Sequence, residues 1–122
     1  MPSKQIVEAF IATVVSGRHV EAIERFYATH ATMQENLNPP RQGLANLIAN
    51  ERAALARQQE IATRPVDFYA IDGDRVVIHW IFDFTTLEGK TFALDEISMQ
   101  RWDHDKIVAE RFYYDPAQFA TK

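Results

Sequence analysis

The sequence predicts an α+β domain in which three helices of the N-terminal half pack on a strongly curved antiparallel sheet, cone-shaped with a central pocket. Three observations carry this. The stretch from Arg75 to Asp115 holds three long runs rich in β-branched and aromatic residues, which suit a pleated, half-buried surface. Short polar segments, Leu87-Glu88-Gly89-Lys90 and Asp103-His104-Asp105, separate the runs and suit hairpin turns, so the strands pair as an antiparallel meander. The half before it repeats its apolar residues at three- and four-residue spacing, the period of a helix face.

The elements follow in order. Ser3 caps a first helix to about Ser16, with Ile6, Val7, Phe10, Ile11, Val14 and Val15 on its apolar side and Gly17 as its stop. A shorter helix spans about Val20 to Tyr27, with Val20, Ile23, Phe26 and Tyr27 apolar, and the brief Gly17-Arg18-His19 link lays the two helices together. Ala28 to Ala31 reads as a turn and Thr32 to Asn36 as a short edge strand. Pro39-Pro40 excludes helix and central strand. A third helix from about Leu44 to Gln59 carries Leu44, Leu47, Ile48, Glu51 and Leu55 on one stripe. Ile61 to Ile71 is extended and broken by Pro65, and Asp72-Gly73-Asp74 turns it into the first long strand, Arg75 to Thr86. Thr91 to Trp102 and Lys106 to Tyr114 complete the sheet. Helices segregated from an antiparallel sheet make an α+β domain, and a sheet curled around them leaves a pocket at its open end.

Composition bounds the function. The 122 residues suit one domain, read here as residues 1–122, with room for a core that needs no staples. A composition of 47% hydrophobic and 25% charged residues is that of a globular chain. The net charge of -4 and the lack of a basic run argue against a nucleic-acid partner. There is no cysteine, which fits a reducing compartment. The N-terminal segment is amphipathic, not a signal sequence, and no apolar run reaches the ~20 residues of a membrane span. Together these read as a cytoplasmic protein. The four histidines lack metal-ligand spacing, and no Gly-x-Ser-x-Gly elbow or phosphate-cradling glycine loop is present. His19 and His104 fall in turns and read as exposed.

Several ordered pieces resemble a known family. They are Phe26-Tyr27-Ala28 with Ala31-Thr32, and Arg41-Gln42-Gly43 opening a helix. Asp72-Gly73-Asp74-Arg75-Val76-Val77, Gly89-Lys90, Lys106-Ile107-Val108 and Phe112-Tyr113-Tyr114-Asp115 follow. The set resembles the SnoaL-like branch of the nuclear-transport-factor-two-like superfamily, which includes ketosteroid isomerases and polyketide cyclases. The resemblance covers nearly the whole chain and implies the fold more strongly than the function, because this scaffold hosts enzymes, carriers and protein-binding modules. Tyr27-Ala28-Thr29-His30-Ala31-Thr32-Met33-Gln34-Glu35 is similar to the isomerases' Tyr-Ala-x-x-Ala-Thr-x-x-carboxylate segment, which implies Glu35 at the general-base position. The isomerases' oxyanion-binding aspartate corresponds to Ser98, and their helix-one tyrosine falls near Ile11. The resemblance therefore implies chemistry other than steroid isomerisation, or none.

Glu35 lies where a short strand meets the proline loop, at the expected pocket rim. A carboxylate there suits acid-base work, whereas a solvated glutamate on an edge strand is the plain alternative. A second cluster depends on strand register. If the turn after Thr86 closes with two or four residues, Thr86 faces Thr91 and His79 faces Ser98, so His79, Asp83, Glu96, Ser98 and Gln100 share one face. That face is expected in the pocket, leaving Trp80, Phe82 and Phe84 on an outer, dimer-forming face. A bulge in the turn shifts this parity. In the alternative, His79 and Asp83 point out and the three aromatics are core. Tyr27 and Tyr114 are candidate hydrogen-bond donors or wall residues, and Glu110 points inward by alternation.

The expectation is a small-molecule pocket protein acting on an apolar carbonyl compound by proton transfer, as an isomerase, cyclase or dehydratase. Glu35, His79 and Glu96 would do the acid-base work, and Tyr27, Asp83, Ser98, Gln100 and Tyr114 would bind substrate. No metal or other cofactor is required for that chemistry. The expected partners are the small molecule and a second copy of the chain, with neither nucleic acid nor membrane. The alternatives are a non-catalytic ligand carrier and a protein-interaction domain of the same fold.

Overall fold

The computed structural model describes residues 1–119. Helix α1 (Lys4–Val15) starts where Ser3 Oγ accepts the Ile6 amide at 3.1 Å, and its chain turns at Gly17, whose φ of 90° only glycine adopts freely. Helix α2 (His19–Phe26) follows at once and runs directly into strand β1 (Tyr27–Glu35). The Pro39-Pro40 loop returns the chain as a two-residue strand β2 (Arg41–Gln42), antiparallel to β1. Helix α3 (Leu44–Ala56) precedes β3 (Gln58–Thr63) and β4 (Tyr69–Asp72). The long strands β5 (Arg75–Thr86), β6 (Thr91–Asp103) and β7 (Lys106–Tyr113) form the meander, and a 3₁₀ turn (Pro116–Phe119) ends the described chain.

The sheet order is β2-β1-β7-β6-β5-β3, with β4 also on β5. Because β3 pairs with the far half of β5 and β4 with its near half, the Pro65 break only splits one long partner into two short ones. Pairing is antiparallel except between β1 and β7, which run parallel, so the sheet is mixed where an antiparallel one was expected. The segment Ala28 to Ala31, read as a turn, is a bulge inside β1: the ladder to β7 passes from Tyr27–Ile107 directly to Thr32–Ala109.

Phe10 of α1 anchors the helical layer to the sheet. Its ring meets those of Phe26, Tyr27, Trp80 and Trp102 edge-on at 5.5–6.1 Å between centroids, the preferred arrangement for aromatic pairs. Val7, Ala31, Val76, Ile78 and Ile107 are fully buried around it.

The β5–β6 register departs from the expectation by one residue. The turn closes with Thr86 N donating to Lys90 O at 2.7 Å, so only Leu87, Glu88 and Gly89 lie outside the ladder, and Gly89 takes φ 87°. A three-residue loop with glycine in the left-handed region is a standard hairpin closure. Thr85, not Thr86, therefore faces Thr91, and a single-residue slip exchanges the two faces of a strand. Ile78 pairs with Ser98, Trp80 with Glu96 and Phe82 with Leu94. Trp80, Phe82 and Phe84 thus turn inward, and His79 and Asp83 turn out.

Candidate functional site

The concave side of the sheet and the three helices enclose a cavity of about 370 Å³, within the usual range for small-molecule sites. Phe10, Trp80, Phe82, Phe84, Phe112 and Phe119 supply much of its apolar wall. Four carboxylic acids line it: Glu35 from β1, Glu51 from α3, Glu96 from β6 and Glu110 from β7.

Glu35 ends β1 beside Phe112 of β7. Asn36 follows it with φ 52°, and its Oδ1 accepts the Tyr114 amide at 3.0 Å, which sets the two strand ends side by side. Tyr114 then donates its hydroxyl to Glu35 Oε1 at 2.5 Å. The β1–β2 pairing brings Arg41 opposite Met33, and its Nη1 donates to Glu35 Oε2 at 2.9 Å. Both carboxylate oxygens therefore accept a hydrogen bond. Burial and the Glu35 hydrogen bond push the Tyr114 hydroxyl well above its ordinary range, so it stays a donor.

Glu96 stands deeper, only 7% exposed. Its pKa rises to about 8, from burial first and then from Glu110, Glu35 and Glu51, with no hydrogen bond among the causes. At neutral pH it is mostly protonated, and no described residue hydrogen-bonds it.

Glu110 lies beneath, in a closed chain of hydrogen bonds. Tyr27 donates to its Oε1, Gln100 Nε2 donates to its Oε2 at 2.7 Å, and Trp102 Nε1 donates to Gln100 Oε1 at 2.9 Å. Burial pushes Glu110 up to about 7 while Tyr27, Gln100 and Ser98 pull it back. Ser98 Oγ also accepts the Trp80 indole N–H at 2.9 Å. Ser98 and Gln100 point inward, as expected, but both are fully buried and form the floor under the cavity, outside its lining.

His79 and Asp83 do not reach the cavity. On the outer face His79 bonds Asp67 through Nδ1 at 2.8 Å and Asp95 through Nε2 at 2.6 Å. Asp83 takes a two-pronged bond from Arg64 at 2.7 and 2.8 Å. The cause is the three-residue loop already described. His19, read as exposed, is 7% exposed and lines the cavity from the first position of α2, while His104 is exposed. Glu51 carried a signal in the sequence, because it is the acidic member of an otherwise apolar helix stripe. His19 carried none, because its burial comes from α2 starting one residue earlier and packing on β3. Among the described residues, no group of three or more His, Asp or Glu side chains is arranged to hold a metal ion.

The model of the SnoaL-like domain family matches residues 7–110. The chain belongs to that family. Solved structures similar to this SnoaL-like chain include a protein of unknown function with a cystatin-like fold from Xanthomonas campestris, 19% identical, covering 97% of this chain and 95% of the other with a TM-score of 0.82. A hypothetical protein with a ketosteroid isomerase-like fold from Catenulispora acidiphila, in complex with trimethylamine, is 17% identical over 95% and 89% with a TM-score of 0.80. TerC, co-crystallised with polyporic acid, is 18% identical over 95% and 93%, also at 0.80. At these identities they show the fold. Among curated proteins, no relative matches the chain.

Proposed function

We propose that this SnoaL-like chain transfers protons on an apolar small molecule that carries a carbonyl group, in an isomerisation, cyclisation or dehydration. Glu35 takes a proton from the carbon next to the carbonyl. Glu96 gives its hydrogen bond, or its proton, to the carbonyl oxygen as negative charge develops there, and takes the proton back as the carbonyl re-forms. Glu35 returns its proton at a second position, which completes an isomerisation; in a cyclisation or dehydration the same two groups form the enol and the Glu35 proton goes instead to the oxygen that is attacked or that leaves. Two carboxylic acids with separated pKa values suit this division of labour. The observation that carries the reading is the pairing of a doubly held Glu35 with a Glu96 whose pKa is raised to about 8 and which no described residue hydrogen-bonds. Tyr114 holds the base, and Tyr27, in the cavity wall, holds Glu110.

Proton exchange tests it without knowledge of the substrate. In D₂O, wild type should speed exchange of the α-protons of a small aryl ketone over buffer, followed by NMR. Glu35→Gln and Glu96→Gln should each lower the enzymatic part about 100-fold. A wild type no faster than buffer would overturn the reading.

The arginine contact favours a second reading. Arg41 already pairs with the Glu35 carboxylate, and a carboxylate so occupied suits a carrier. The structures solved with trimethylamine and with polyporic acid show that this scaffold can hold small ligands. Either reading includes a cytoplasmic setting and a homodimer through the outer sheet face, where Ile97, Met99 and Tyr113 are exposed.

A further inference from the structure

The proposed chemistry uses β1 and β6 and leaves the part of the cavity between α2, α3 and β3 without a role. That part is polar at two places. His19 is more than nine-tenths buried, with Nε2 2.9 Å from Thr63 Oγ1. Its Nδ1 forms no hydrogen bond of good geometry, and the nearest carboxylate oxygen, Glu51 Oε2, stands 3.8 Å away. Burial lowers the His19 pKa, and the Val14 carbonyl recovers part of the loss, so the ring is neutral at neutral pH. Burial also raises the Glu51 pKa, helped by Glu35.

The second place is Gln58. Along β3, Thr63 is buried and Ile61 half-buried, so simple alternation would turn Gln59 inward next. An extra residue between Gln58 and Glu60 breaks the ladder to β5, leaves Gln59 and Glu60 both exposed, and turns Gln58 into the cavity instead. A bulge that re-aims one side chain is common beside functional sites. The Gln58 Oε1 is buried and has no partner among the described residues. Buried polar groups are seldom left unpaired unless something else completes them.

We infer that His19 of α2 and Glu51 of α3 form a second binding subsite that grips a hydroxyl group of the substrate. This rests on the carbonyl reading above and narrows it to hydroxylated aryl or cyclic ketones. The Thr63 hydroxyl donates to Nε2, which leaves a proton on Nδ1. A substrate hydroxyl accepts from Nδ1–H and donates to the Glu51 carboxyl, a pair of roles that only a group with both a proton and a lone pair can fill. The His19 ring is fixed for this by its edge contact with Phe82, at 6.2 Å between centroids. Gln58 offers a further acceptor on the same wall for a second hydroxyl. A site built to bond a hydroxyl rejects the analogue that lacks it, because its own polar groups then stay unpaired.

Binding, not turnover, tests this. Calorimetry on the intact chain compares 4-hydroxyacetophenone with acetophenone, and 6-acetyl-2-naphthol with 2-acetylnaphthalene, two pairs of different length. At least one hydroxylated ketone should bind at least about tenfold more tightly than its parent. His19→Phe, which keeps a ring against Phe82, and Glu51→Leu should each shrink that ratio below about threefold. His79→Gln, on the outer face of the sheet, should leave it unchanged, and because binding is read without turnover, a failed acid-base reading and a failed subsite give different results. If His19→Phe does not fold, the partly exposed Glu51 supplies the decisive variant. Equal affinities within both pairs, or a ratio that survives Glu51→Leu, would overturn the inference.

Discussion

Trp80 stands directly across the β5–β6 ladder from Glu96, and both side chains turn to the concave side of the sheet, where 2% and 7% of their surfaces remain exposed. The indole is one of the groups that strip water from the Glu96 carboxyl, and the neighbouring glutamates do the rest. A carboxyl whose pKa is raised on folding binds its proton more tightly in the folded state. Stability from that proton is complete below the ordinary value of 4.5 and falls as pH rises toward about 8. Glu96→Gln removes this group from the balance. The variant should match wild type near pH 4 and be more stable by a few kcal/mol near pH 9, read from urea midpoints. An identical pH dependence in the two proteins would mean that Glu96 is charged in the fold.

Glu110 shows the same direction, up to about 7, but it is buried with donors in place. Tyr27→Phe takes away one of them and leaves a buried oxygen unpaired. The expected loss is about 1–3 kcal/mol at pH 7 by urea denaturation, smaller near pH 4, where the carboxyl is protonated and needs fewer donors. Equal losses at both pH values would assign the cost to ring packing and not to the hydrogen bond.

Gly89 decided what the sequence left open. The strict alternation of β6 was legible in its residues: Leu94, Glu96, Ser98, Gln100 and Trp102 are buried and their neighbours exposed. The alternation of β5 was equally clear, but which of its faces meets which face of β6 depends on loop length alone. Leu87-Glu88-Gly89-Lys90 closes as well with four residues as with three when only composition is considered. Helix starts and stops were legible at Ser3 and Gly17 because each rests on one local bond or dihedral. The placement of Glu96 inward was legible with its strand, whereas His19 was not, since its burial depends on β3, 44 residues away. Gly89→Ala tests the turn. A Cβ there meets nothing within 4 Å, so the cost is conformational only, about 1–2 kcal/mol, with the β5–β6 register unchanged in amide exchange.

His79 bonds a carboxylate at each ring nitrogen, and a carboxylate only accepts, so both nitrogens carry protons. The hydrogen bonds to Asp95 and then Asp67 raise its pKa above 6.5. Stability from this bridge is complete below 6.5 and is lost as pH rises through the folded value. The site is open to solvent, so the effect is no more than about 1 kcal/mol. His79→Gln should flatten that part of the stability curve while leaving ketone binding untouched, because the ring lies on the far side of the sheet from the cavity. A change in ketone affinity would contradict that separation.

The same separation makes the proposed dimer testable. Trp80, Phe82 and Phe84 are taken up by the cavity and core, so they cannot supply the interface. The outer face offers Ile97, Met99 and Tyr113 in their place, with Ile97 paired to Tyr113 across the β6–β7 ladder and all three about 40% exposed. Apolar side chains grouped in this way on an open sheet face mark an association surface. Ile97→Lys places a charge at the centre of that patch and should raise the dimer dissociation constant at least about tenfold in sedimentation analysis, since an unpaired charge buried in a contact is costly. Cavity properties should not move, because Ile97 and Glu96 are neighbours in sequence but point to opposite faces. A wild type that sediments as a monomer at about 100 µM, a concentration at which even weak specific pairs associate, would remove the dimer from the proposal.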